Sequence, residues 1–231
     1  MAKKKRDSSP EQLESVEQAL TRTERFIEKN QQLLTYIVTG IVAVVAIYLG
    51  FKRFYLNPKE LDAQSLMFTA EQYFERDSLQ FALNGDGSNF GFYDIIDEYG
   101  LTKSANLAKY YAGIALLRLG EYKEAIDYLK QFKKKDKMIG VIALGAIGDA
   151  YSQLGELKKA AVYYLDAANY ENNEFASPIY LMKAGQVYEE LGEFNKALNA
   201  YNRIEKEYPN SMEARNIEKY ITRAETLVSG N

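Results

Sequence analysis

Pairs of glycines recur through the second half of the chain, and the two members of each pair are seven residues apart. A glycine in a helix interior costs about 1 kcal/mol relative to alanine, so this recurrence needs a structural reason. The second glycines follow leucine, in "LGEYKEAIDYL", "LGELKKAAVYYL" and "LGEFNKALNAY", and are 35 and 37 residues apart. A period near 34 with helical patterning predicts a solenoid of helix–turn–helix units. The pairs are Gly113 and Gly120, Gly148 and Gly155, and Gly185 and Gly192.

Two further positions recur after each Leu-Gly pair: an alanine five residues after the glycine, and a large residue four residues later. The pattern resembles the tetratricopeptide repeat (TPR). The resemblance implies that the first glycine lies on helix A, that Leu-Gly ends helix A, and that the alanine lies on helix B. Antiparallel helices approach closely where small residues meet, so Gly113 and Ala125 are expected to face each other. The recurring residues are Ala125, Ala160 and Ala197, followed by Leu129, Tyr164 and Tyr201.

An uncharged, apolar segment lies nearer the start of the chain. No charged residue occurs from Asn30 to Phe51, and residues 33–51 are its apolar centre. As a helix this centre would be about 28 Å long, close to the ~30 Å hydrocarbon thickness of a bilayer. Tyr36 and Tyr48 lie near its ends, where aromatic side chains favour the membrane interface. The segment predicts a transmembrane helix; a cleavable signal peptide and a buried core helix are the alternatives.

Charges on the two sides of this segment indicate its orientation. Seven Lys and Arg residues precede it, whereas Lys52, Arg53 and Lys59 follow it. By the positive-inside rule, the total favours a cytoplasmic N-terminus and translocation of the chain after Phe51. In the leader, Leu13, Val16, Leu20 and Ile27 recur at helical spacing. They predict a short amphipathic helix that either contacts the membrane or a partner, or is a solvated lead-in.

The predicted fold is all-α: one N-terminal transmembrane helix followed by a TPR-type solenoid. The solenoid comprises one degenerate repeat, three clear repeats and a C-terminal capping helix. The predicted boundaries are a cytoplasmic leader with the amphipathic helix at 1–32, the transmembrane helix at 33–51, the degenerate repeat at 52–104, and the clear repeats with the cap at 105–231.

The degenerate repeat is predicted as two helices, Pro58–Leu83 and Ser88–Gly100, separated by the turn "NGDGSN". That turn alternates oxygen-bearing residues as calcium loops do. However, Ile95 stands where such a loop needs Glu, so a plain turn is expected rather than a metal site. Ala214, Ile217, Ile221, Ala224 and Val228 are expected to form the apolar face of the capping helix, whose opposite face is polar.

The composition argues against enzymatic and nucleic-acid-binding functions. The chain contains no His and no Cys, so the commonest general base, the usual zinc ligands and the thiol nucleophile are missing. Adjacent carboxylates such as Asp97 and Glu98 point about 100° apart on a helix and predict a solvated face. A net charge of −3 lacks the basic balance of a nucleic-acid binder. We expect no catalysis, cofactor, metal or small-molecule substrate.

A TPR solenoid holds partners on a concave face that helix A lines. The resemblance assigns four outward positions to each repeat, and Lys and Asn, which clamp C-terminal carboxylates in chaperone-binding TPR modules, are absent from them. The set grades from apolar to weakly acidic and predicts binding of apolar or mildly basic segments, unless some members pack against the degenerate repeat. The outward positions are Leu107, Tyr110, Ile114, Leu117, Ile142, Gly145, Asp149, Ser152, Ile179, Met182, Gln186 and Glu189.

The order of leader, single span and translocated repeats resembles the YfgM-like proteins of bacterial inner membranes. The resemblance covers nearly the whole chain and rests on architecture rather than on a motif private to that family. It implies an ancillary subunit of the Sec translocon that works beside a membrane-anchored periplasmic chaperone of the prolyl-isomerase type. The protein would bind emerging polypeptides without turnover, with its N-terminus in the cytoplasm, residues Leu33–Phe51 in the bilayer and its repeats in the periplasm.

Three other classes stay open at this stage. The first is a scaffold for another envelope-assembly complex, in outer-membrane biogenesis or cytochrome maturation, although the chain lacks the cysteine of a lipoprotein. The second is an organelle import receptor or fission adaptor of a eukaryote, with its repeats in the cytosol. The third is an enzyme, for which the sequence offers no catalytic constellation.

Overall fold

The computed structural model describes residues 26–134 and 136–230, and their regular structure is entirely helical. The predicted all-α class is therefore confirmed. A π-helical turn occupies Lys52–Leu56 and a 3₁₀ turn occupies Glu213–Asn216. Residues 1–25, with most of the predicted leader and its amphipathic helix, lie outside the described residues. The α-helices are α1 Gln31–Phe51, α2 Asn57–Glu75, α3 Leu79–Asn84, α4 Phe92–Glu98, α5 Lys103–Leu119, α6 Tyr122–Gln131, α7 Lys137–Gln153, α8 Leu157–Asn169, α9 Ala176–Glu190, α10 Phe194–Glu207 and α11 Ile217–Ser229.

Helix α1 contains the predicted span. It has 21 residues, and none of them is buried. At 1.5 Å per residue it is about 32 Å long, and within the described residues the helical segment from Gln31 is long and apolar enough to cross a membrane. The chain divides into two compact units between Asn57 and Pro58.

From Lys103 onward the second unit is a stack of helical hairpins. Helix α5 packs against α6, α7 against α8, and α9 against α10, and each hairpin packs against the next. Short turns join the packed helices, which therefore run antiparallel. We call α5, α7 and α9 the A-type helices and α6, α8 and α10 the B-type helices. Helix α11 packs on α10 and ends the stack.

The Leu-Gly pairs form the turns between the A-type and B-type helices. Gly120, Gly155 and Gly192 have φ of 84°, 73° and 72°, a region that residues with a Cβ atom avoid. In each turn the N–H after the glycine donates to the carbonyl five residues earlier, as Glu121 does to Leu116 at 2.9 Å. This bond is the mark of a Schellman motif, which satisfies the last carbonyls of a helix. These three glycines therefore end three helices by the same means.

The first glycine of each pair makes room for a large side chain of the following B-type helix. A Cβ atom added at Gly113 would lie 2.5 Å from Leu129 Cγ and 3.2 Å from the Ala125 carbonyl oxygen. Gly113 therefore faces the Leu129 side chain and the Ala125 backbone, rather than the Ala125 methyl group as expected. Tyr164 takes the same place over Gly148, as does Tyr201 over Gly185. Ala125, Ala160 and Ala197 are completely buried beside these contacts.

The segment before α5 differs from its prediction in detail. The expected helix Pro58–Leu83 is two helices, α2 and α3, because Asp77 adopts a left-handed conformation with φ of 57°. The expected helix Ser88–Gly100 shortens to α4. Between α3 and α4 the Asp86 carboxylate accepts hydrogen bonds from the backbone N–H groups of Ser88 and Asn89 and from the Tyr73 hydroxyl. These bonds hold the pKa of Asp86 well below its usual range, with the Tyr73 hydroxyl as the main cause.

Helix α11 closes the stack as an amphipathic helix. Ile217, Ile221 and Ala224 are buried, Ala214 and Val228 are half-buried, and most of the remaining residues are exposed. The exposed polar face of α11 is typical of a capping helix, whereas Ala214, predicted on this helix, lies in the 3₁₀ turn before it.

Candidate partner-binding site

Helix α7 occupies the middle of the candidate groove and carries three buried glycines, each of which faces a tyrosine ring. A Cβ atom at Gly140 would lie 2.7 Å from Tyr170 Cε1, and one at Gly148 would lie 2.6 Å from Tyr164 Cε1. Gly145, expected to face outward, is instead buried beneath Tyr180 of the next repeat. The prediction for Gly145 was wrong because the outward positions were assigned within one repeat. They took no account of the Tyr180 ring, which reaches over Gly145 from the neighbouring A-type helix. The groove surface here is formed by Tyr180.

The other predicted groove residues divide by exposure. Tyr110, Ile114, Leu117 and Met182 are half-buried and pack against the main core, with the Tyr110 ring centre 5.6 Å from that of Phe132. Ile142 is 40% exposed, Ile179 is 43% exposed, and Gln186 is exposed. The apolar residues that a partner could contact without unpacking the protein are therefore Ile142 and Ile179.

A cavity of about 330 Å³ brings together three predicted residues from two adjacent A-type helices. Leu117 comes from α5, and Asp149 and Ser152 come from α7. Tyr122, Gln153 and Tyr164 complete its lining. Leu107 instead lines a second cavity at the beginning of α5, away from this group.

Three of the lining residues were missed by the sequence analysis because they lie outside the four outward positions. Tyr164 was identified only as a recurring large residue, and Tyr122 and Gln153 were not singled out. The signal that could have found Tyr164 is its spacing from Gly148, which repeats that of Leu129 from Gly113. A ring over a helix-A glycine has room to extend past it to the groove side.

The two predicted groove carboxylates each have a cationic partner one repeat further along the chain. Asp149 accepts hydrogen bonds from the Tyr164 hydroxyl at 2.7 Å and from Lys183 Nζ at 2.6 Å. Glu189 accepts from the guanidinium of Arg223 on α11. In both ion pairs the partners are 34 residues apart, so the pairs also join adjacent repeats. The expectation of a weakly acidic groove was therefore wrong, because Lys183 and Arg223 lie outside the positions considered.

The tyrosines around Asp149 are held in their neutral form. Burial, together with the charge of Asp149, raises the pKa of Tyr180 to about 12. Burial and the hydrogen bond to Asp149 also raise the pKa of Tyr164. Lys183 Nζ lies 5.4 Å and 5.8 Å from the ring centres of Tyr164 and Tyr180, within cation–π range. The site therefore offers aromatic and aliphatic surface with neutral hydroxyl and amide groups.

The described residues contain no cluster of three or more Asp, Glu, His or Cys side chains arranged to hold a metal ion. What the arrangement provides chemically is contact surface: apolar side chains for burial, and hydroxyl, amide and paired charged groups for hydrogen bonding. Surfaces of this kind bind other polypeptides.

Comparison with known families agrees with this geometry. One tetratricopeptide-repeat model matches residues 107–137 and 180–211, and a second matches residues 142–174. The chain contains tetratricopeptide repeats. Each of the three ranges begins about one turn inside an A-type helix and includes the rest of the hairpin, α5/α6, α7/α8 or α9/α10. The predicted degenerate repeat at 52–104 lies outside them. TPR domains are protein-interaction scaffolds, and no catalytic family is indicated.

A solved structure shares the fold. It contains the nearly identical TPR-like repeats attributed to a kinesin light chain of Podosopora anserina, with 12% sequence identity and a TM-score of 0.53. The similarity covers 75% of this chain and 89% of that one, and at this identity it shows the helical solenoid alone. No curated protein sequence matches the chain.

Proposed function

We propose that this protein is a membrane-anchored scaffold that binds other polypeptides through the inner face of its TPR domain. The observation that carries the proposal is the convergence of Leu117, Asp149 and Ser152 on one cavity between adjacent A-type helices. Helix α1, uncharged and without buried residues, supports an anchor in the bilayer through Leu33–Phe51. The domain boundaries that this proposal uses are those predicted from the sequence.

We further infer a place for the scaffold beside the Sec translocon of a bacterial inner membrane. The N-terminus would be cytoplasmic, and the TPR domain would be periplasmic. A membrane-anchored prolyl-isomerase-type chaperone would be its second partner, and secreted or membrane polypeptides its clients. The support for this is the order of leader, single apolar helix and repeats, which resembles that of the YfgM-like proteins, together with the seven Lys and Arg residues of the leader.

The groove chemistry narrows the partner segment. Since Asp149 and Glu189 are both ion-paired, a basic segment gains little from them. Ile142 and Ile179 present aliphatic surface, and Tyr180 adds a ring beside them. The segment that fits is apolar, extended or helical, and carries its own hydrogen-bonding groups.

Site-specific photocrosslinking in native membranes tests the proposal. A photoreactive phenylalanine analogue would replace Ile142 or Ile179 in the full chain, with Val162 as the control. Val162 is 53% exposed, but it lies on the B-type helix α8, outside the predicted groove positions. We expect Sec channel subunits, the anchored chaperone or nascent secretory chains to be captured from the two groove positions and not from Val162.

Other outcomes of that experiment separate the rival scaffolds. Capture of outer-membrane or cytochrome assembly factors from the groove positions would replace the Sec assignment with an envelope-assembly function. Equal capture from all three positions would contradict binding through the groove itself. A protease-protection assay on right-side-out vesicles checks the topology. Added protease should digest a periplasmic TPR domain, whereas the cytosolic TPR domain of an import receptor would be protected.

A paired substitution tests the groove without disturbing the core. Ile142→Glu with Ile179→Glu places two charges on exposed positions, so the helical circular dichroism and the melting temperature should be retained while partner capture is lost. Val162→Glu is the matched control and should retain both. Substituting Tyr110 or Ile114 would be uninformative, because both pack against the core.

A further inference from the structure

The inter-repeat turns carry a periodic row of exposed apolar side chains. Leu101, Met138, Phe175 and Met212 are spaced 37 residues apart in sequence. They are exposed by 71%, 66%, 87% and 74%, which makes them the most exposed large apolar side chains of the described chain from Phe92 onward. Single exposed apolar residues are ordinary on a protein surface. An exposed apolar residue that recurs at a constant spacing of 37 residues is a regular pattern and needs an explanation.

The fold places this row at one edge of the solenoid. Leu101 precedes α5, Met138 is the second residue of α7, Phe175 precedes α9, and Met212 precedes the 3₁₀ turn before α11. Because the A-type helices alternate with antiparallel B-type helices, the beginnings of the A-type helices share one edge. We call this edge the turn edge.

A cavity of about 300 Å³ opens at the turn edge between the first two members of the row. Leu107, Phe132 and Ile139 supply apolar lining, and Lys103, Lys109 and Lys133 supply cationic groups. Asp136 also lines the pocket, and its carboxylate accepts a hydrogen bond from the Ile139 N–H at 2.9 Å, so the three lysines outnumber one carboxylate. The Asn106 side chain fixes one wall, since it donates to the Lys133 carbonyl at 3.1 Å and accepts from the Lys133 N–H at 2.8 Å. The cavity is therefore a built pocket with an apolar lining and a basic rim.

The charges along the turn edge are unevenly distributed. Near the pocket, Lys103, Lys133 and Lys134 have no ion-pair partner among the described residues. At the far end, Glu174 and Glu213 likewise form no ion pair within the described residues, with Arg215 as a nearby cation. One end of the edge thus has cations around a pocket. The other has Glu174 next to Phe175, which is the most exposed side chain of the row.

We propose that the turn edge is an interface between two copies of this chain, in which Phe175 and Glu174 of one copy dock in the Leu107–Phe132–Ile139 pocket of the other. In a dimer with a two-fold axis, each contact occurs twice. The Phe175 side chain of each copy therefore fills the pocket of the other copy. Glu174 then meets the lysines of the pocket rim. The antiparallel arrangement matches basic end to acidic end, whereas a parallel arrangement would oppose like charges. This interface does not depend on the proposed scaffold function.

The absence of cysteine from the sequence makes a disulfide test clean. Two differently tagged full-length chains, one with Phe175→Cys and one with Leu107→Cys, are mixed in mild detergent and oxidised. The expected product is a heterodimer carrying both tags. The control pair, Val162→Cys with Leu107→Cys, should give no crosslink, because Val162 is exposed but lies on α8.

Substitutions at the interface supply a second test, in which the affinity of the dimer is measured by sedimentation of the full chain in detergent. Phe175→Ser should weaken the dimer by about 100- to 10,000-fold, the effect of no longer burying one aromatic side chain at each of the two pockets. Lys133→Glu should weaken it as well, and adding Glu174→Lys should restore it. Phe175 is 87% exposed, so its replacement leaves the fold intact.

Several outcomes would overturn the interface. A full chain that sediments as a monomer at all concentrations would do so, as would a dimer that is indifferent to Phe175→Ser. Preferential self-crosslinking of Phe175→Cys would show a parallel arrangement. Disulfide formation of Phe175→Cys in membranes only with a cysteine of a different protein would assign the turn edge to that other occupant.

Discussion

The Tyr180 ring occupies the space that a Cβ atom at Gly145 would need. The ideal Cβ position lies 2.0 Å from Tyr180 Cε1, far inside van der Waals contact. Because the two residues belong to adjacent A-type helices, this contact sets how closely α7 and α9 approach at the groove. It also explains why α7 has a glycine at position 145, which the repeat pattern does not require.

Gly145→Ala should lower the free energy of unfolding by up to about 2 kcal/mol. Alanine favours the helix by about 1 kcal/mol, but overpacking a fitted contact costs roughly 1–3 kcal/mol. The sign should reverse in a Tyr180→Ala background, where the ring is gone and only the helix preference remains. Urea unfolding in mild detergent, monitored by circular dichroism, gives the free energy of unfolding of the wild type, the two single variants and the double variant. The same effect of Gly145→Ala in both backgrounds would show that the ring does not limit the space.

Gly155 isolates the contribution of backbone conformation. Its φ is 73°, and a Cβ atom there would meet no atom within 4 Å. Gly155→Asn should therefore cost little, since asparagine tolerates the left-handed region, whereas Gly155→Val should cost about 1–2 kcal/mol. The urea midpoints of the two variants measure the difference, provided that the slope of the free energy of unfolding against urea concentration is the same in both. Equal losses would point to packing rather than to φ.

The sequence predicted the repeats well because their signals are local and recur. Leu-Gly turns with an alanine on the next helix identify α5 to α10, and the uncharged stretch identifies α1. The region before α5 carries no recurring phrase. There the break at Asp77 depends on one left-handed residue, which no periodicity reveals.

The groove was less predictable because its surface is made jointly by neighbouring repeats. Family positions placed Asp149 and Glu189 in a weakly acidic groove, but Lys183 and Arg223, each 34 residues further on, form ion pairs with them. Gly145 was read as surface because Tyr180 belongs to the next A-type helix. Pairings of this kind follow from how successive repeats stack, which the spacing within one repeat does not contain.

Two tyrosines at equivalent positions differ in their hydrogen bonding. The Tyr164 hydroxyl donates to Asp149, whereas the buried Tyr201 hydroxyl, although near Glu189 and Arg223, makes no hydrogen bond of good geometry among the described residues. Tyr164→Phe should lower the free energy of unfolding by about 1–2 kcal/mol, since a hydrogen bond to a charged group is lost. Tyr201→Phe should be neutral or slightly stabilising, since it removes a buried polar group without a partner. Thermal melts of the two variants compare them directly, and equal destabilisation would show that Tyr201 is bonded in solution.

Alkaline pH should weaken the fold through Tyr180. Its pKa is raised to about 12 by burial first and by the charges of Asp149 and Tyr110 second, against about 10 in an unfolded chain. A group whose folded pKa is the higher one stabilises fully below its unfolded pKa, and this contribution is lost as the pH rises through the folded value. The free energy of unfolding should therefore decline from about pH 10 to about pH 12, and less steeply in Tyr180→Phe. Urea unfolding across this range, with tyrosinate absorbance recorded in parallel, gives both slopes, and identical slopes would assign the alkaline loss to other groups.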